Sequence, residues 1–304
     1  MFKRIVAVLL CIAVLLGVSV IPASSLSYDA GIGALREQWE SGEGPSVVGF
    51  NIDYSYYVPA TTEPCPLFVF MGGAGNGTYE GKELNATDFP YWSSDEFQSS
   101  AVNTKGMYLM ILRSPLPFYF DTCPLEPMYE AIRDFADTHN VDKKRIILIG
   151  RCLGASGAHR LAVNYPDYFS GVCYLCPRTR ISMSDAKTLS HMKIWIFNSY
   201  LDSYSIFPFY ALPSWINLLL FTKVRKNVRF TTCVKAPRGG GILNHEMCRL
   251  VEKNFTHDVE KDYTGLSTVD AMGKLITKPD VIQFFTSGSY TRVSSSSEDG
   301  LLID

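Results

Sequence analysis

The chain has 304 residues, a formal net charge of −2, 47% hydrophobic residues and 13% aromatic residues. That balance excludes a disordered chain, which buries too little apolar surface to offset the entropy of ordering, and leaves ample material for one large core. No basic stripe marks it for nucleic acid or acidic lipid, so neither is expected as a partner.

Lys3 and Arg4 precede an apolar run over residues 5–20, and Pro22-Ala23-Ser24-Ser25 follows with small residues suited to cleavage. The run is shorter than the roughly 20 residues that span a bilayer. Residues 1–25 therefore read as an export signal, with no stable membrane span after its removal and a secreted or extracytoplasmic location. Loss of Cys11 with the signal leaves Cys65, Cys123, Cys152, Cys173, Cys176, Cys233 and Cys248. An odd number in an exported chain implies at least one thiol beside up to three disulfides. Cys173-x-x-Cys176 has no second pair at zinc-finger spacing, so neither a metal nor another cofactor is expected.

Residues 46–57 mix Val, Ile, Phe and Tyr with polar residues and predict a hairpin of edge strands ending at Pro59. Residues 66–71 form a continuous apolar run of buried-strand type, followed by Gly72-Gly73-Ala74-Gly75, and residues 108–112 form a second. Helical spacing over 127–140 places Met128, Ile132, Phe135 and Ala136 on one side and leads into a strand at 145–149. A helix closing near Tyr165-Pro166 comes next, then strands at 171–175 and 193–197, a helix at 214–221, a strand at 228–234 and a helix at 279–285 opened by Pro279. Strands alternating with helices imply an α/β domain over residues 26–286, with a mostly parallel sheet and helices on both faces. Residues 287–304 are rich in serine and acidic residues and carry no buried-face pattern, which reads as a loose tail.

The most informative segment is Ile149-Gly150-Arg151-Cys152-Leu153-Gly154, where a buried strand breaks into glycines around one cysteine and resumes as a helix. A sharp strand-to-helix turn leaves no room beside its central residue, so glycines two before and two after relieve the crowding. The turn sets Cys152 at a helix N-terminus, where unpaired N–H groups and the helix dipole favour a thiolate. Acyl transfer by such a nucleophile needs a base, a group to orient the base, and N–H donors for an oxyanion. Asp202 follows the strand at 193–197 closely and is the candidate acid. His245, reached from the strand at 228–234 through Gly239-Gly240-Gly241, is the candidate base. The backbones of Gly72, Gly73 and Leu153 are the candidate oxyanion donors. The order nucleophile, acid, histidine is that of the α/β-hydrolase fold. Ser156, four residues past the turn, is expected along the helix, and structural roles are expected for His159 and His191. The apolar stretch 207–221 fits either a partial cover over an acyl site or ordinary helix packing.

From about residue 47 to residue 285 the chain resembles secreted α/β-hydrolases of the polyhydroxybutyrate depolymerase, feruloyl esterase and predicted-peptidase group. The likeness is carried by the strand and loop at 66–75, the elbow at 145–154, Ile194-Trp195-Ile196-Phe197 with Asp202, and Asn244-His245. Three positions depart from that group. Cysteine replaces its usual serine at the elbow, as in dienelactone hydrolases, Met71 stands where the oxyanion loop usually begins with histidine, and Asn198-Ser199 replaces the usual His-Gly ahead of the acid. What the resemblance implies is hydrolysis of a small-molecule or polymer-linked ester or thioester, with Cys152 as nucleophile, His245 as base and then acid, and Asp202 as its orienter. A peptidase or acyltransferase on the same triad, and a binding protein without turnover, are the rival readings.

Overall fold

The structure, a computed structural model, describes residues 31–73, 83–85, 87, 89–115, 118–199, 209–221, 227–233, 268–270 and 278–287. The expected export signal lies outside the described residues, as does all of the expected tail beyond residue 287. Among the described residues nine strands make one sheet: β1 (Glu40–Glu43), β2 (Asp53–Tyr57), β3 (Cys65–Met71), β4 (Tyr108–Leu112), β5 (Val141–Arg151), β6 (Gly171–Leu175), β7 (Lys193–Ser199), β8 (Val228–Cys233) and β9 (Thr268–Asp270). Their order across the sheet is β1-β2-β4-β3-β5-β6-β7-β8-β9. The ladders from β4 through β8 are parallel, and antiparallel pairs close both edges.

The central strands are buried on both faces, as their unbroken apolar runs require. Every residue of β3, β4 and β6 is buried. Pro66 lies within β3 and has no N–H to give a ladder, and the β3–β5 register slips between Cys65 and Leu67 to accommodate it.

Seven α-helices accompany the strands among the described residues: α1 (Gly31–Arg36), α2 (Asp95–Gln98), α3 (Leu125–Thr138), α4 (Leu153–Asn164), α5 (Met183–Thr188), α6 (Ala211–Phe221) and α7 (Lys278–Thr286). One face of the sheet, with Leu67, Val69, Ile146, Leu148 and Val172, packs against Ile132 and Phe135 of α3 and Ala158 and Leu161 of α4. The opposite face, with Phe68, Phe70, Ile147, Ile149 and Trp195, packs against Phe97 of α2 and Val281, Ile282 and Phe285 of α7. Helix α3 shows why the pattern was readable. Met128, Ala131, Ile132, Phe135 and Ala136 recur at i, i+3, i+4, i+7 and i+8, and all five are buried. Burying a side chain such as Phe135 is worth about 2–3 kcal/mol.

The sequence places the first hairpin strand no earlier than Ser46, whereas the ladder to β2 is made by Glu40–Glu43. Those four polar residues have no apolar alternation to read. They pair because the tip of the hairpin fixes the register, and Tyr56 donates its hydroxyl to Glu40 at 2.6 Å across the ladder.

At that tip Val47 and Phe50 exchange both backbone hydrogen bonds at 2.9 Å, with Val48 at φ 52° and Gly49 at φ 79°. Two residues at positive φ make the mirror-image turn that suits strand twist, and that turn favours Asn-Gly. A β-branched residue there is strained, and Val48 recovers nothing by packing, being 76% exposed. We expect Val48→Asn to stabilise the protein by about 1 kcal/mol, seen as a higher urea midpoint with an unchanged slope.

The possible disulfides of the sequence reading are reduced in number. Among the described residues Cys65, Cys123, Cys173, Cys176 and Cys152 are buried thiols, and Cys248 lies outside them. The first three serve as small apolar core residues.

Candidate active site

Strands β3 and β5 are neighbours, yet the chain leaves β3 for β4 on one side and leaves β5 for β6 on the other. Such a reversal opens a crevice at the carboxyl ends of the two strands, the place where open α/β sheets bind ligands. Met71 is paired with Gly150 in the β3–β5 register. The residues that step beyond the sheet at this point are therefore Gly72 and Gly73 on one side and Arg151 and Cys152 on the other.

Cys152 has φ 54° and ψ −113°, far from helix or strand, and is followed at once by α4. A non-glycine residue held there costs of order 1–3 kcal/mol and persists only where its surroundings enforce it. The flanking glycines show the enforcement. A Cβ on Gly150 would lie 2.4 Å from the Gly154 carbonyl oxygen and 2.5 Å from the Ala155 Cα. A Cβ on Gly154 would lie 2.0 Å from the Met71 carbonyl oxygen and 2.5 Å from that of Gly72. A Cβ on Gly73 would stand 3.1 Å from the Cβ of Cys152, so the loop after β3 lies directly against the elbow.

Leu153 is the first residue of α4, and its N–H belongs to the turn that has no partner within the helix. Gly73, beside Cys152, and Leu153, directly after it, are thus the backbone positions near the cysteine that were expected as oxyanion donors. Cys152 as a residue is 1% exposed.

Asp202 and His245 lie outside the described residues. β5, β6, β7 and β8 are mutually parallel, so the carboxyl ends of β7 at Ser199 and of β8 at Cys233 fall on the same sheet edge as Cys152.

Met71, which stands where the resembled hydrolases usually have histidine, packs into the core on the α4 side of the sheet. It is fully buried among the residues under α4, with its sulfur 3.4 Å from where a Cβ on Gly157 would be. Ser156 is buried along α4, as expected. His159 and His191 have the structural roles expected of them. His159 sits 3.2 Å from the Tyr174 hydroxyl and 3.3 Å from Asp185, and burial holds its pKa below the ordinary value against the opposing pull of Asp185. His191 makes a hydrogen bond with the carbonyl of Pro166 at 3.0 Å. Helix α6, within the stretch read as a cover or a packed helix, is anchored inward. The Ser214 hydroxyl accepts from the N–H of Ile181 at 2.9 Å, Asn217 donates to the Ile181 carbonyl at 2.8 Å, and Trp215 stacks on Phe230.

Two features escaped the sequence reading. Arg151 is 1% exposed, and its Nε lies 3.4 Å from where a Cβ on Gly73 would be, so a cation is built in under the loop beside the thiol. The available signal was an arginine continuing the inward face of Ile147 and Ile149, where burial of a charge is costly and serves a purpose. The second feature is Glu83, 2% exposed, which accepts hydrogen bonds from Ser55 at 2.9 Å and from Arg113 at 2.9 and 3.1 Å. Glu83 raises the pKa of Arg113, and Arg113 also bonds Asp53 at 2.6 Å. This network ties the return of the loop after β3 to β2 and β4. Among the described residues no cluster of His, Cys, Asp or Glu could hold a metal ion, and no helix is long and apolar enough to cross a membrane.

No family model and no curated sequence relative matches this chain. Solved structures do match in fold. A thermostable esterase superposes with a TM-score of 0.55 at 19% identity, over 66% of this chain and 55% of that one. The acylaminoacyl peptidase of Pyrococcus horikoshii gives a TM-score of 0.53 at 16% identity, over 79% of this chain and 44% of that one. A ferulic acid esterase gives 0.50 at 11% identity, over 64% of this chain and 89% of that one. The chain thus spans about half the length of the first two. Together with the sheet order and the elbow, these likenesses define the class: the protein has the α/β-hydrolase fold.

Proposed function

We propose that the protein is an exported hydrolase that cleaves carboxylic esters or thioesters through a Cys152-His245-Asp202 triad and a covalent acyl-enzyme. The observation that carries the proposal is the strained Cys152, held at φ 54° between two obligatory glycines at the reversal point of the sheet. Strain of this kind is retained at functional sites, and a cysteine used only as core filling gains nothing from it. The esterases among the fold neighbours agree with this reading.

In the proposed cycle His245, oriented by Asp202, takes the thiol proton, and the Cys152 sulfur attacks the ester carbonyl. Backbone N–H groups of Leu153 and of Gly72 or Gly73 stabilise the oxyanion. The imidazolium then protonates the leaving alcohol or thiol, and water activated by His245 hydrolyses the acyl-thioester to free acid and enzyme. No cofactor enters. The run at residues 5–20 supports export.

The test is hydrolysis of short-chain nitrophenyl esters by the reduced protein during reaction with iodoacetamide. Burial pushes the thiols of Cys65, Cys123 and Cys173 up, Cys123 to about 11, so they should react slowly at neutral pH. Activity should decay in step with alkylation of Cys152. Activity that survives complete alkylation there would remove the proposal. The acylaminoacyl peptidase among the neighbours supports a peptidase on the same triad as the second reading, and faster turnover of N-acyl peptide anilides than of esters would favour it.

A further inference from the structure

We propose that Cys152 and Cys176 form a hydroperoxide-responsive pair, in which oxidation of the elbow thiol is captured by Cys176 as a reversible disulfide. Its effect on activity rests on the reading of Cys152 as nucleophile, whereas the pair itself rests on geometry alone.

Strands β5 and β6 are parallel neighbours whose last pair is Arg151 opposite Leu175, closed by the Cys152 N–H bonding the Leu175 carbonyl at 3.0 Å. Cys152 and Cys176 are the residues that come directly after that last pair, one on each strand. Parallel neighbours stand about 4.8 Å apart, inside the range of about 4.4–6.8 Å between the Cα atoms of a disulfide.

The side chains also share a face, for a reason visible in the backbone. Ile147 and Ile149 of β5 and Cys173 and Leu175 of β6 face one core, while Ile146, Leu148, Val172 and Tyr174 face the other. Unbroken pleating would carry residues 152 and 176 to the second core. Both are instead in the first, because each takes a left-handed backbone, at φ 54° and φ 45°. Two neighbouring strands make the same reversal at the same level and bring two thiols to one side of the sheet edge. Both are buried, at 1% and 0% exposure, so only a small oxidant fits the chemistry.

The reaction balances with a hydroperoxide as oxidant. The Cys152 thiolate attacks one peroxide oxygen. The S–O bond forms, the O–O bond breaks, and the alkoxide or hydroxide that leaves takes up a proton, so sulfur loses two electrons and the peroxide gains them. The Cys176 sulfur then attacks the sulfenic sulfur, and its proton leaves with the hydroxyl as water as the S–S bond forms. A dithiol reverses the step by exchange, becoming oxidised as both thiols return.

The experiment treats the reduced full chain with hydrogen peroxide, maps it under non-reducing conditions, and assays nitrophenyl ester hydrolysis before and after dithiothreitol. The segments bearing Cys152 and Cys176 should be joined with loss of two hydrogens, and activity should fall at least about tenfold and return on reduction. Cys173→Ala should keep the link. Cys176→Ala and Cys176→Ser should lose it and let Cys152 proceed to sulfinic acid, which dithiothreitol does not reverse. A link without any esterase activity in the reduced protein would uphold the pair and remove the catalytic reading. Sulfinic acid at Cys152 in the oxidised native chain, or a bridge from Cys152 to another cysteine, would overturn the pair whatever the activity.

Discussion

Replacement of Cys152 by alanine should lower kcat/KM for a nitrophenyl ester at least about a thousandfold while leaving the protein folded, since loss of a nucleophile removes the covalent route and leaves only the oxyanion donors. The folded state should tolerate the change. Alanine keeps the Cβ that the φ 54° backbone already accommodates, and the residue gives up one sulfur from a site that is 1% exposed. Serine at the same place is the sharper comparison. If His245 and Asp202 complete the triad, serine should keep activity well above that of alanine, because the same base can take a proton from a hydroxyl. Equal activity of the alanine and native proteins, measured with circular dichroism to show both folded, would remove Cys152 from the chemistry. Cys152→Ser at the alanine level would instead say that no base is within reach of the elbow, which is the part of the proposal that Asp202 and His245 carry.

The sheet was legible in the sequence because its strands are buried on both sides. Tyr108–Leu112 and Gly171–Leu175 are short apolar runs whose limits match the observed strands, since nothing polar interrupts them. The elbow was legible for a different reason. Glycine at 150 and 154 answers a local steric demand that does not depend on distant parts of the chain. Elements whose existence depends on their neighbours were not legible. β1 is held by its hairpin partner, and α1, α2 and α5 each span six residues or fewer, too short to display a period. Arg151 and Glu83 were passed over because a charged residue reads as exposed until the packing around it is known, and both are almost fully buried. The paired reversal at Cys152 and Cys176 belongs to the same class. Sequence parity suggested an unbridged thiol but could not say that β5 and β6 end side by side, because strand order is a property of the whole sheet.

Gly154→Ala should be among the most destabilising single substitutions in the chain, and it separates the architecture of the elbow from its chemistry. Alanine is the better helix former by about 1 kcal/mol, and Gly154 lies in α4, so propensity alone predicts a gain. Sterics oppose it. The new Cβ would sit 2.0 Å from the Met71 carbonyl oxygen and 2.5 Å from both the Met71 carbonyl carbon and the Gly72 oxygen, all backbone atoms that cannot swing aside as the end of a side chain would. Either α4 retreats from β3, which loosens the alanine-lined contact at Ala155 and Ala158, or the segment from Met71 to Gly73 moves away from Cys152. The first route lowers stability by about 3 kcal/mol, typical of overpacking a core. The second displaces the candidate oxyanion donors, and loss of one such donor costs about a hundredfold or more in kcat. Urea unfolding and ester hydrolysis on the same preparation should show one loss or both. Gly33→Ala in α1 is the control: nothing lies within 4 Å of its Cβ, so the same chemical change should be neutral or stabilising there. A Gly154→Ala protein as stable and active as the native one would mean that β3 and the elbow are not in the contact on which the site is built.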